Sequence, residues 1–220
     1  MKRAEIYLVE SNNRQDLAET FMRFQEYYES PVFAGRRFSI EEFKAWYSKE
    51  HGSFSYAQDW SGFNIPSWVF QPFNKGYFDP LTDQEKRLVN YFKHKRDSCY
   101  VIGVNSKDDF FVETVKHEFT HGAFFVNEDY RNELTELLKS KNLKTVKKAL
   151  REMGYGSNVI NDETNAYMLT EPQTMEKNIS LSEGRKVRDE LDKLFIKYFK
   201  FSMVESSVST VMRKIKQLSF

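Results

Sequence analysis

From residue 109 to residue 126 the chain reads DFFVETVKHEFTHGAFFV, a stretch of helical length with His117, Glu118 and His121 near its centre. Phe110, Phe111, Val112, Val115, Phe119, Ala123, Phe124, Phe125 and Val126 make the predicted helix apolar on most sides, as in a buried helix. The three polar side chains therefore enter an interior in which polar groups need partners. A metal ion is one such partner. Imidazoles four residues apart share a helix face and can reach one ion. Glu118 is turned by about 100° from His117, so it can lie beside the ion without binding it. An open position on zinc lowers the pKa of its water to about 7, and an adjacent carboxylate can take the proton. With only four histidines in 220 residues, the expected chance count of H-E-x-x-H is about 0.007.

A catalytic zinc takes three protein ligands. Residue 127 is Asn, which removes a histidine six residues after His121 as the third. His51 and His94 are available, but the segment Asn161-Asp162-Glu163-Thr164-Asn165-Ala166-Tyr167 is the better source. Asn161 reads there as a helix N-cap, with Glu163 in the first turn and the small Ala166 on nearly the same face. Asp162 is the neighbouring rival, and an ordinary acid favoured by the helix dipole is the plainer account of Glu163.

The rest of the chain narrows the class. Lys+Arg number 33 against 32 Asp+Glu, which argues against a nucleic-acid partner. The basic run Lys139, Lys141, Lys144, Lys147, Lys148 and Arg151 accordingly reads as a solvated helix face. Cys99 is the only cysteine, so no disulfide framework or all-thiolate site forms within one chain. Neither a signal peptide nor a membrane span is expected, and a reducing cytoplasm is the expected location. Oligomeric state is not encoded in any motif.

Strands are expected at 4–9 and 99–104, and helices at 14–28, 40–50, 83–95, 109–126, 128–139, 142–153, 160–170, 183–200 and 205–217. Ser39 with Glu42, and Thr82 with Glu85, read as capping boxes. Residues 54–78 carry nine aromatics without a sustained period and read as core filler under an irregular loop, ahead of a lid. The expected fold is α+β: one domain over 1–220, strand-poor and aromatic-rich through 97, helical and metal-binding from 98 onward.

On HEFTH at 117–121 and DETNAY at 162–167 the chain resembles the zincin metallopeptidases, in the gluzincin arrangement. The resemblance covers about residues 98–170. It implies a mostly helical zincin-like domain with a small sheet, His117, His121 and Glu163 as zinc ligands, and Glu118 as general base and later proton donor. Residues 99–104, with Tyr100, Val101, Ile102, Gly103 and Val104, are similar to the family's edge strand that pairs with a substrate backbone. Many gluzincins place an acid four residues after the ligand Glu, to orient a zinc histidine. Here that position is Tyr167, which leaves its hydroxyl, Asp162 or Glu113 for the task. A donor for the developing oxyanion is also needed. Tyr155, between Gly154 and Gly156, is preferred over Tyr167, Tyr100 and His94.

The expected activity is zinc-dependent hydrolysis of a peptide or other amide bond in a peptide or protein substrate. Another first-row divalent metal would suit the same ligands. The competing expectation is a non-catalytic binding or regulatory protein on a zincin-like body, with a structural metal or none.

Overall fold

Seven consecutive buried residues, Cys99–Asn105, form a strand rich in β-branched side chains. A strand buried on both faces belongs inside a sheet. The computed structural model describes residues 5–95 and 98–218, so Ala4 of the expected first strand lies outside the described residues. With strands β1 (Glu5–Ser11), β2 (Gly62–Pro66), β3 (Cys99–Asn105) and β4 (Lys216–Leu218), the sheet order is β2-β3-β1-β4. β1 runs parallel to β3 and β4, and β2 runs antiparallel to β3. The protein is 59% helical beside this small mixed sheet, so the fold is α+β and mostly helical.

The chain gathers into two compact units, Met1–Phe111 with Lys216–Phe220, and Val112–Ile215. The change of character expected at residue 97/98 therefore lies some residues early, because β3 belongs to the sheet of the first unit.

In the first unit, helix α1 (Arg14–Glu29) starts at Asn13, whose side chain accepts from the Gln15 and Asp16 amides. α1 lays Phe21 over β3, where Gly103 makes room. A Cβ at residue 103 would meet the Phe21 ring at 2.4 Å. Phe21 stacks on Phe63 of β2, with centroids 5.4 Å apart. Helix α2 (Ile40–His51) is capped by Ser39, which accepts from the Glu42 amide. The short helices α3 (Tyr56–Asp59) and α4 (Phe70–Asn74), with a 3₁₀ turn at Ser67–Val69, occupy much of the aromatic segment. Its Tyr56, Phe63, Phe70, Phe73 and Phe78 are buried, while Trp60, Trp68 and Tyr77 are exposed. Most of these rings are core.

Helix α5 (Asp83–Phe92) opens with the complete Thr82/Glu85 capping box. The same Glu85 carboxylate receives Arg23 Nε at 2.6 Å and a second Arg23 nitrogen, both partners being buried. The expected 83–95 helix is three residues shorter.

The second unit is helical: α6 (Phe111–Val126) from its second residue onward, α7 (Glu128–Lys139), α8 (Lys144–Glu152), α9 (Ile160–Thr170), a 3₁₀ turn at Pro172–Met175, α10 (Leu181–Phe199) and α11 (Val208–Met212). Phe119, Tyr130, Leu134, Leu150, Leu169, Leu191 and Phe195 are among its buried residues. The run expected as one helix over 205–217 is only five helical residues, after which the chain turns and enters β4. The basic run pairs largely with its own surroundings: Lys139 with Glu136, Lys141 with Glu190, Lys147 with Asn161 and Lys148 with Glu152. Among the described residues, no helix is long and apolar enough to cross a membrane.

Candidate metal centre

Helical spacing puts His117 and His121 on one face of α6, with ring centroids 4.9 Å apart. Burial of α6 is confined to its middle: Val112 is exposed, as is Phe110 just before the helix, whereas Thr114, Val115 and residues 117 to 123 are buried. α9 supplies Glu163. Its Oε2 lies 3.8 Å from His117 Nε2 and its Oε1 3.6 Å from His121 Nε2. Both distances exceed a hydrogen bond, and Oε2 is buried without a hydrogen-bond partner. One ligand atom from each of the three residues lies within 4.8 Å of the others, a grouping that could hold a metal ion.

The far side of each imidazole is held by a carboxylate. His117 Nδ1 lies 2.8 Å from Glu171 Oε1, and His121 Nδ1 lies 3.0 Å from Asp162 Oδ2. An Nδ1–H bound to a carboxylate turns Nε2 toward the ligand position and raises its basicity. Both Nε2 atoms consequently face the same carboxylate.

Electrostatics point the same way. Burial opposes a charge on His117, but Glu163 and Glu171 outweigh it and lift its pKa to about 9. At His121 burial is again outweighed, here by Asp162 and Glu163, and the pKa rises well above the usual value. Asp162 is raised by burial despite the attraction of His121, while at Glu163 burial is overcome by His121 and His117 and the pKa falls. Glu118 is buried as well, and its charge bears on both histidines. Four carboxylates thus act on two imidazoles and draw positive charge to the Nε2 positions. A proton supplies that charge in part. A divalent cation would supply it in the place of those protons, and the buried, unpartnered Glu163 oxygen fits such a group.

No family model, curated protein or solved structure matches this chain.

Several expected residues meet here. His117, His121, Glu163, Asp162 and Tyr167 converge, and Tyr155 joins them through a hydroxyl 3.1 Å from that of Tyr167. Tyr167 contributes its ring, packed edge-on to His117 at 4.8 Å, while its hydroxyl is turned to Tyr155. Burial, with Glu163 and Tyr167 adding to it, pushes the Tyr155 hydroxyl far above its usual pKa. Burial likewise moves Tyr167 to about 12, against the Tyr155 hydrogen bond. Both stay protonated at neutral pH.

Other expectations need correction. Glu113 is exposed and bears on Lys116, and the histidine Nδ1 atoms are held by Asp162 and Glu171 instead. Asn161 is not the N-cap of α9. The helix begins at Ile160, and the Asn161 side chain accepts from Lys147 at 2.9 Å. Tyr100, Val101, Ile102, Gly103 and Val104 do not form an edge strand. β3 pairs with β2 on one side and β1 on the other, so its backbone is closed to a substrate. His51 stacks on Tyr47 at 4.2 Å, and His94 is exposed.

Glu171 is the residue the sequence reading missed. It is the C-cap of α9 and also precedes the 3₁₀ turn. Its one signal was position: an acid two helical turns beyond Glu163, where the chain was expected to break.

Proposed function

We propose that the chain is a zinc-dependent hydrolase of peptide or other amide bonds. The observation that carries this reading is the orientation of the two histidines. Each offers Nδ1 to its own carboxylate, and both turn Nε2 toward Glu163. His117, His121 and Glu163 would hold the ion. Zinc, when bound, supplies Lewis acidity toward water and toward a substrate carbonyl.

The remaining chemistry belongs to the chain. Glu118 follows a ligand histidine directly and is buried. Its carboxylate takes a proton from the attacking water and returns it to the leaving amine nitrogen. The Tyr155 hydroxyl, held protonated by its surroundings, is the donor for charge developing on the carbonyl oxygen. A structural zinc would need a fourth protein ligand. Asp162 and His94 are candidates for that place, but Asp162 Oδ2 faces Nδ1 of His121 and His94 is exposed, which supports a position left open for substrate. A peptide or protein is the substrate proposed. The reducing cytoplasm is the compartment proposed, consistent with the single, buried Cys99.

The test is Glu118→Gln. Purified wild type and variant should carry about one equivalent of zinc each by elemental analysis. Digestion of a peptide library by the variant should fall about 10²- to 10⁴-fold, the usual contribution of a general base. Chelator should abolish the wild-type activity. Wild-type rates in the variant would overturn the mechanism, and zinc-free wild type would overturn the site.

A further inference from the structure

Behind His121 the polar chain continues inward. Asp162 uses Oδ2 on His121, while its Oδ1 is buried without a hydrogen-bond partner. Asn165 stands three residues later on α9, so the two side chains share a helix face. Asn165 is fully buried, and its Oδ1 accepts from the Tyr130 hydroxyl at 3.1 Å. Its Nδ2 is likewise buried without a partner.

A buried carboxylate oxygen and a buried amide N–H are complementary, and leaving both unpaired is costly. The Tyr130 hydroxyl takes Oδ1, which leaves the amide Nδ2 as the end that must find an acceptor. Tyr130 is itself immobilised, fully buried and packed on Phe195 and Phe199 with centroids 5.8 and 5.2 Å away. Burial is the main reason its hydroxyl pKa is raised, and the charge of Asp162 adds to it. His117 is held differently: its partner Glu171 caps the end of α9 and is 28% exposed, and the Thr170 hydroxyl lies 3.4 Å from Nδ1.

We infer that Tyr130 and Asn165 are positioning residues for His121. Asn165 Nδ2 donates to Asp162 Oδ1 through one bridging water, and thereby fixes the carboxylate that aims the imidazole. The inference rests on the metal-site reading above and adds to it a relay from α7 to the ligand atom.

The experiment compares wild type, Asn165→Leu and Tyr130→Phe. It measures the zinc dissociation constant by competition with a chromophoric chelator, together with the visible spectrum of the cobalt-loaded protein. Loss of an outer partner typically weakens binding 10- to 100-fold. Asn165→Leu should weaken zinc about 10-fold and shift the cobalt bands, and Tyr130→Phe should weaken it about 3-fold. Tyr130→Phe keeps the ring packing, so it decides the matter if Asn165→Leu fails to fold. Lower thermal stability with unchanged zinc affinity and an unchanged cobalt spectrum would show a merely structural role and overturn the inference. Wild type that binds zinc alongside unaltered variants sinks the relay alone, whereas wild type that binds none sinks the metal reading with it.

Discussion

The first unit and the second each bury ionisable groups, and they settle them differently. Arg23 and Glu85 form a closed pair. Arg23 Nε meets Glu85 Oε1 at 2.6 Å, and its other nitrogens reach Glu85 Oε2, Phe78 O and Pro80 O. Glu85 Oε2 also accepts the Thr82 amide at 2.8 Å, and Phe73 and Phe78 lie against the guanidinium. One cation meets one anion, with no orphaned atom in either side chain among those described. In the second unit, four carboxylates surround two imidazoles, and Glu163 Oε2 and Asp162 Oδ1 remain unpartnered. A closed pair fixes architecture. An acid-rich cluster with an orphaned Glu163 oxygen is a grouping that could hold a cation.

The strongest way to break this contrast is Arg23→Ala. It strands Glu85 as an unpaired buried charge, which typically costs about 3–5 kcal/mol. Urea denaturation should show that loss whether or not zinc is present. A loss below about 1 kcal/mol, as for a surface pair, would mean that Arg23 and Glu85 are not the closed pair described.

The second unit should answer in the opposite manner. Saturating wild type with zinc at 100 times its dissociation constant should stabilise it by about 2.7 kcal/mol. Glu163→Gln removes one oxygen ligand and should lose nearly all of that increment at the same zinc concentration. Its zinc-free stability should change by less than the increment. Denaturation with zinc and with chelator reads both quantities, and an undiminished zinc effect in the variant would remove Glu163 from the site.

The same contrast explains what the sequence discloses. Local signals are legible: the four-residue spacing of His117 and His121, the Thr82/Glu85 box and the amphipathic helix from residue 14 are set within one or two turns of chain. Glu163 was reached through the wrong marker, because α9 is capped at Val159 without a side-chain hydrogen bond and Asn161 lies inside the helix. Non-local pairing was not legible. Nothing within CYVIGV states that β2 and β4 will take the two outer places and leave β3 inside. GFNIP is too short for its alternation to stand out among nine aromatics, and β4 is three residues long. The outer carboxylates failed for a related reason. Which acid meets each Nδ1 depends on how the end of α9 turns at Glu171, and that turn is a tertiary matter.

The smallest expected effect sharpens the comparison from the side of the first unit, which holds a buried acid of another kind. Glu26 is 8% exposed. Burial raises its pKa, while the Tyr56 and Ser30 hydroxyls pull it back without cancelling the shift. A folded-state pKa above the unfolded one means that the native state binds the proton more tightly. The stability this confers is full below the unfolded pKa and is lost as pH rises through the folded value. Glu26→Gln should remove that decline, so its stability relative to wild type should climb as pH rises above the ordinary glutamate pKa of about 4.3. Denaturation midpoints measured against pH test it. A flat difference would show that hydroxyls alone can settle a buried carboxylate here, and the acid-rich cluster around His117 and His121 would then need another reason to be read as a cation's place.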